Sequence, residues 1–102
     1  MNNIKSENFR QKLDNEKLRI IDVREVHEFK KGHIKMAENI PLSILANQLE
    51  KVSHDETYYL ICQGGGRSAH AAEFLNSKGY QVVNVLGGMN AWQGFIDKSD
   101  EN

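Results

Sequence analysis

Cys62-Gln63-Gly64-Gly65-Gly66-Arg67-Ser68 is the stretch of this chain whose residue types and spacing can do chemistry. It holds the single cysteine of 102 residues, followed by three glycines, an arginine and a serine. Consecutive glycines let a backbone turn tightly and present N–H groups inward, with no Cβ atoms in the way, as an anion-binding nest. A helix starting behind them adds its unpaired N–H groups and the positive end of its dipole at the same point. A cysteine set there should ionise readily, because each of these partial charges favours thiolate over thiol. Arg67 contributes a permanent charge and a planar fork of donors suited to a multi-oxygen anion. A lone cysteine is by itself more often a small buried hydrophobe. The glycines, the arginine and the helix start together turn that reading toward a nucleophile at Cys62, with Gln63, Gly64, Gly65, Gly66 and Arg67 as its anion site.

The elements that must position this loop follow from periodicity. Leu18 to Val23 is a short β-branched run, Tyr58 to Ile61 an apolar run ending at Cys62, and Gln81 to Leu86 a third that stops at Gly87-Gly88. All three predict buried strands. Pro41 to Leu49 and Ser68 to Lys78 place apolar residues at three- and four-residue spacings, as helices packed on a sheet do; Ser68 is the expected N-cap and Gly79 the stop. Ser6 to Leu13 and Met89 to Phe95 are shorter helical candidates, and Asp97 to Asn102 reads as a polar tail that frays. Strands alternating with helices over short connections predict an α/β domain with a mostly parallel central sheet and helices on both faces. Ligands of such sheets gather beyond the carboxyl ends of the strands, where Asp22 and Cys62 both fall.

Bulk properties exclude several classes. The 13 basic and 14 acidic residues leave a formal net charge of −1, too little to gather nucleic acid or an anionic membrane surface. No apolar run approaches the roughly 20 residues that span a bilayer, and the amino terminus lacks an apolar signal core. The expectation is one cytoplasmic, monomeric domain over residues 1–102. One cysteine cannot form an internal disulfide, and His27 and His54 have no partner at ligand spacing, so neither a metal nor another cofactor is expected. A nucleotide P-loop would need a lysine after the glycines, and none is present. Gly64-x-Gly66-x-x-Ala69 meets a loose dinucleotide fingerprint, but the strand after it ends without an acidic residue to hold a ribose.

Three blocks of the chain resemble the rhodanese-like domain family, over about residues 18–95. Asp22-Val23-Arg24-Glu25, with Glu28-Phe29, Gly32-His33-Ile34 and Ala37-x-Asn39-Ile40-Pro41, is similar to the family's amino-terminal signature. Val85-Leu86-Gly87-Gly88-Met89-x-Ala91-Trp92 is similar to its carboxyl-terminal one. Between them, four residues separate Cys62 from an arginine followed by serine, the family's active-site spacing. The departure is Gly66, where many relatives carry a polar or larger residue. The resemblance implies a three-layer sandwich in which Cys62 takes a sulfane sulfur from thiosulfate or a persulfide and hands it to an external thiol, cyanide or a protein cysteine. It implies that the N–H groups of Gln63 to Arg67 hold the persulfide and that Arg67 meets an oxyanion donor.

Outside the loop the residues read as support. Asp22 and Arg24 are a salt link or turn cap, His33 a packing or turn histidine, His70 a solvated helix residue, and Trp92 with Phe95 a core anchor. Two other functions compete. A cysteine phosphatase or arsenate reductase uses a similar loop one residue longer, with a pocket large enough for a tetrahedral oxyanion. A non-catalytic interaction module is the alternative from another class, and such modules usually lack the cysteine.

Overall fold

The computed structural model describes residues 2–98. Five strands form one sheet in the order β1-β5-β4-β2-β3, every pair parallel: β1 is Asn2–Lys5, β2 Arg19–Asp22, β3 Glu38–Asn39, β4 Thr57–Ile61 and β5 Gln81–Leu86. The helices are α1 (Ser6–Asn15), α2 (Val26–Lys31), α3 (Gly66–Ser77) and α4 (Gly88–Ala91). The α/β class and the helix-flanked sheet are those expected, and the pairing is wholly parallel. Among the described residues, no helix is long and apolar enough to cross a membrane.

Strand alternation explains why the sheet is covered twice. Ile21, Tyr58, Leu60 and Val82 point into one apolar layer, with Ala71, Ala72 and Leu75 of α3. Ile20, Tyr59, Ile61 and Val85 point into the other, with Phe9 of α1 and the flank of Trp92. Strands buried on both faces read as continuous apolar runs, which is why β2, β4 and β5 were visible in the sequence. The edges were not. β1 reads Asn-Asn-Ile-Lys and is mostly exposed, and β3 has two residues, as suits edges that must not recruit other strands. α2 buries no residue and lacks an apolar stripe; its signal is a capping box between Glu25 and Glu28.

Three expectations are corrected. Pro41 to Leu49 is not an α-helix but two 3₁₀ turns, Leu42–Asn47 and Leu49–Lys51, closed by three-residue bonds such as Ile44 N–H to Pro41 O at 3.0 Å. A three-residue turn places Leu42 and Leu45 on one side, which is all that this short segment needs to cover the sheet. α4 ends at Ala91, and Phe95 is 75% exposed rather than anchored. Trp92 alone packs inward, against Phe9 at 5.9 Å, while its indole N–H donates to the Phe95 carbonyl at 3.1 Å. Asp97 does not fray: it exchanges two backbone bonds of 2.8 Å with His33. Ser99 to Asn102 lie outside the described residues.

At the carboxyl end of β2 sits a fully buried ion pair. Asp22 accepts from Arg24 at Nη2 (2.8 Å), at Nε (3.1 Å) and at the backbone N–H (3.0 Å). Both side chains are almost solvent-free, at 0% and 5% exposure. Removing one partner strands a charge in the interior. Asp22→Ala should therefore lower the free energy of unfolding by about 3–5 kcal/mol, measured by urea denaturation. The double change Asp22→Leu with Arg24→Met should cost less than the single one. A single substitution that costs under about 1 kcal/mol would show that water reaches the pair.

Candidate active site

Cys62 follows β4 directly, in the middle of the sheet, where the parallel register sets Ile61 beside Asp22 and Leu60 beside Asn84. The chain turns at once through Gln63–Gly65 into α3, so the loop wraps around the cysteine sulfur. The Gly65 N–H donates to Cys62 Sγ at 3.1 Å and the Ser68 N–H at 3.2 Å. Ser68 Oγ lies 3.3 Å from the sulfur. Cys62 is 1% exposed, so only the outermost atom of a reagent can reach Sγ.

Burial pushes the Cys62 thiol up. The Ser68 hydroxyl and the backbone N–H groups of Ser68, Gly65 and Gly64 outweigh it, and the net shift is downward from the ordinary value. Ser68 is thus no N-cap, contrary to expectation. That position is Gly65, with no side-chain cap, and Ser68 sits in the first turn of α3 with its hydroxyl turned inward. Its hydroxyl also lies 2.5 Å from Asn84 Oδ1 and 3.2 Å from Gly65 O. One hydroxyl proton cannot serve all three neighbours. With Cys62 neutral, Ser68 can donate to Asn84 and accept the thiol proton; once the sulfur ionises, the serine must turn its proton to Sγ.

Two glycine turns carry the loop's shape. Gly65 has φ +102°, a conformation side chains rarely adopt, and a Cβ there would lie 3.2 Å from Gly87 N. Gly88 has φ +52°, and a Cβ on it would collide with the carbonyl oxygen of Cys62. That close approach lets the Met89 N–H donate to Cys62 O at 2.8 Å and the Asn90 N–H to Gln63 O at 2.9 Å. The carboxyl-terminal motif therefore clamps the cysteine loop through its carbonyls. Gly66 is different, since a Cβ there would meet nothing within 4 Å.

Gln63 is held at both ends: Oε1 accepts from Arg24 Nη1 at 3.2 Å, and Nε2 donates to Asn90 Oδ1 at 2.6 Å. Arg24 also donates to Gly32 O at 2.7 Å, which ties the β2 end to the loop. Arg67 does not point freely at the sulfur. Its fork is closed on Glu28, Nη1 to Oε1 at 2.7 Å and Nη2 to Oε2 at 3.0 Å, and the guanidinium holds that carboxyl down at about 2. Sequence reasoning missed Asn84 altogether and named Glu28 and Ser68 without their contacts at the loop. Signals existed for two of them, a capping-box glutamate for Glu28 and an asparagine inside an apolar strand for Asn84.

Among the described residues, no histidine hydrogen-bonds to the Cys62 sulfur, whose partners are Gly65 and Ser68. His33 is buried, stacked on Phe29 at 3.7 Å, with Nδ1 2.7 Å from Phe29 O. His54 stacks on Tyr80 at 3.9 Å, and His27 is exposed. His70 is exposed on α3 and lines an apolar recess with Leu42, Leu45, Ala46 and Phe74.

Two measurements check this geometry. The alkylation rate of Cys62 against pH should show a midpoint below the about 8.5 of an unperturbed thiol, and Ser68→Ala should move that midpoint up; an unmoved midpoint would remove the hydroxyl from thiolate stabilisation. Gly65→Ala should cost on the order of 1–3 kcal/mol in stability, whereas Gly66→Ala should gain about 0.4–1 kcal/mol. Equal denaturation midpoints for the two variants would contradict the left-handed turn at Gly65.

Comparison with known proteins agrees with this arrangement. The Rhodanese-like domain model matches residues 6–95, starting earlier than the resemblance read from motifs. A Bacillus subtilis (strain 168) protein provisionally named a sulfur carrier, YrkF, is 39% identical over 93 residues, covering 89% of this chain and 50% of that protein. The chain thus spans half the length of YrkF. A sulfurtransferase of Allochromatium vinosum is 32% identical over 94 residues, covering 90% of this chain and 88% of that one. The crystal structure of a rhodanese-like domain protein from Staphylococcus aureus superposes with a TM-score of 0.93 at 35% identity, covering 98% and 100% of the two chains. A parallel sheet with the cysteine loop at its carboxyl edge, matched in sequence over residues 6–95 and in backbone over nearly the whole chain, places this protein in the rhodanese-like domain family.

Proposed function

We propose that the chain is a sulfurtransferase in which Cys62 carries sulfur as a persulfide between an external donor and an external acceptor. The observation that carries this reading is the buried Cys62 sulfur ringed by hydrogen-bond donors, the Gly65 and Ser68 N–H groups at 3.1 and 3.2 Å and the Ser68 hydroxyl at 3.3 Å. The names carried by the Allochromatium and Bacillus relatives support it.

In the first half-reaction the Cys62 thiolate attacks the outer sulfur of the donor. A new S–S bond forms, the donor's own S–S bond breaks, and its electron pair leaves with sulfite from thiosulfate or with a thiolate from a persulfide. The product is Cys62–S–S⁻. The N–H groups of Gly66 and Arg67, in the first turn of α3, have no intrahelical acceptor and would receive this terminal sulfur. In the second half-reaction an acceptor thiolate, cyanide or a partner protein's cysteine attacks the terminal sulfur, and Cys62 departs as the thiolate the site favours. No general base is needed when the resting nucleophile is already ionised.

Cys62 is 1% exposed and its loop is one residue shorter than that of a cysteine phosphatase, which favours an outer sulfur over a tetrahedral phosphate. The cysteine count adds that no second thiol in this chain can resolve the persulfide as an internal disulfide, so the loaded form should persist until an acceptor arrives.

Incubation with thiosulfate or a persulfide followed by intact mass measurement should show the gain of one sulfur atom, removed by reductant and absent in Cys62→Ser, which should also show no turnover. Initial rates against donor at several acceptor concentrations should give the parallel lines of ping-pong kinetics. No adduct with either donor would favour an interaction module. Intersecting lines without an isolable persulfide would overturn the carrier mechanism.

A further inference from the structure

Two cations touch the cysteine loop among the described residues, and each is already matched by a carboxylate. Arg24 is chelated by Asp22 and reaches the loop only with Nη1, at Gln63 Oε1. Arg67 is closed on both oxygens of Glu28. Glu28 is itself anchored, since Oε1 also accepts the Glu25 N–H at 3.0 Å as part of the cap of α2. Gln63, the first loop residue, is neutral, and its amide is taken at both ends. Once Cys62 ionises, two guanidiniums face two carboxylates and a thiolate, leaving one negative charge in excess.

We propose that Glu28 sets the donor class of the Cys62 site: by holding the fork of Arg67 it leaves no free cation for a sulfonate, so the site takes its sulfur from an organic persulfide rather than from thiosulfate. This rests on the sulfurtransferase reading above and narrows it. Thiosulfate carries two negative charges, and when its outer sulfur meets Sγ its three oxygens face out of the loop, where the Arg67 charge is already balanced by Glu28 through two of its N–H groups. To gain an unshared cation there it must displace a two-pronged carboxylate that has its own anchor on the cap of α2. A persulfide R–S–SH makes no such demand. Its outer sulfur is attacked by the Cys62 thiolate, the donor S–S bond breaks as the new one forms with its electron pair leaving on R–S⁻, and the proton carried by the outer sulfur passes to that thiolate, giving R–SH and Cys62–S–S⁻.

Glu28→Gln tests this, because glutamine keeps an oxygen for the Glu25 N–H while removing the charge that holds Arg67. With free cysteine persulfide and thiosulfate as probes, the wild type should have a kcat/KM at least tenfold higher for the persulfide. Glu28→Gln should narrow that ratio about tenfold, through a lower KM for thiosulfate, as expected when a charge-assisted pair is released. A second measurement needs no variant. Rising ionic strength should increase the wild-type kcat/KM for thiosulfate, because screening relieves like-charge repulsion. A ratio unchanged in Glu28→Gln, a wild type that prefers thiosulfate, or a thiosulfate rate that falls with salt would overturn the proposal. Failure of both donors to add sulfur to Cys62 would overturn the sulfurtransferase reading itself, a distinct result.

Discussion

The buried pair of Asp22 and Arg24 holds the functional end of this molecule together. Asp22 closes β2, the strand beside β4, and its carboxylate receives three groups of Arg24, backbone and side chain. The remaining donors of Arg24 go to Gly32 after α2 and to Gln63 in the cysteine loop. Asn39 of β3 adds two bonds from its amide, to the carbonyls of Asp22 and Arg24. Charges this deep repay their lost hydration only when every donor finds an acceptor in fixed geometry. Here the donors named run to three separate segments, so the pair specifies where those segments stand and not merely how stable they are.

Around that anchor the cysteine loop is pressed from two sides. α3 begins under it and aims the Ser68 N–H at the sulfur, while α4 approaches from the β5 end and binds the carbonyls of Cys62 and Gln63. Both approaches depend on a missing side chain. Gly65 makes the left-handed turn, and Gly88 lets two backbones come within hydrogen-bonding distance. Carbonyls drawn outward by α4 leave the loop's N–H groups facing inward, which is the polarity a sulfur anion requires. The two glycine motifs, widely separated in sequence, are halves of one device.

The charges at the mouth show the same economy. Arg67, which alone would suit an oxyanion, is matched by Glu28, and Gln63 is locked between Arg24 and Asn90. The inward-facing N–H groups therefore supply the attraction for an anion at this sulfur, and they act over the distance of a hydrogen bond. Partial charges in a dry ring act most strongly on charge held at a single atom.

Much of this was legible in the residues. Cys62, its glycines and the helix start behind them could be read as a cysteine ringed by backbone N–H groups because backbone polarity and the absence of Cβ atoms are local properties. β2, β4 and β5 were visible because strands buried on both faces are apolar along most of their length. β1, β3 and α2 were not, since edge strands and a helix that buries nothing carry no such pattern. The inward turn of Ser68, the hold of Glu28 on Arg67 and the reach of Asn84 belong to the tertiary structure alone. Each joins residues separated by 6, 39 or 16 positions, and which neighbour occupies a hydrogen-bonding fork is decided by packing, not by the residue that carries the fork. Sequence by itself determined that the cysteine precedes a glycine turn and a helix start, and the fold decided which carboxylate, amide and hydroxyl stand around it, because those contacts join residues that only packing brings together.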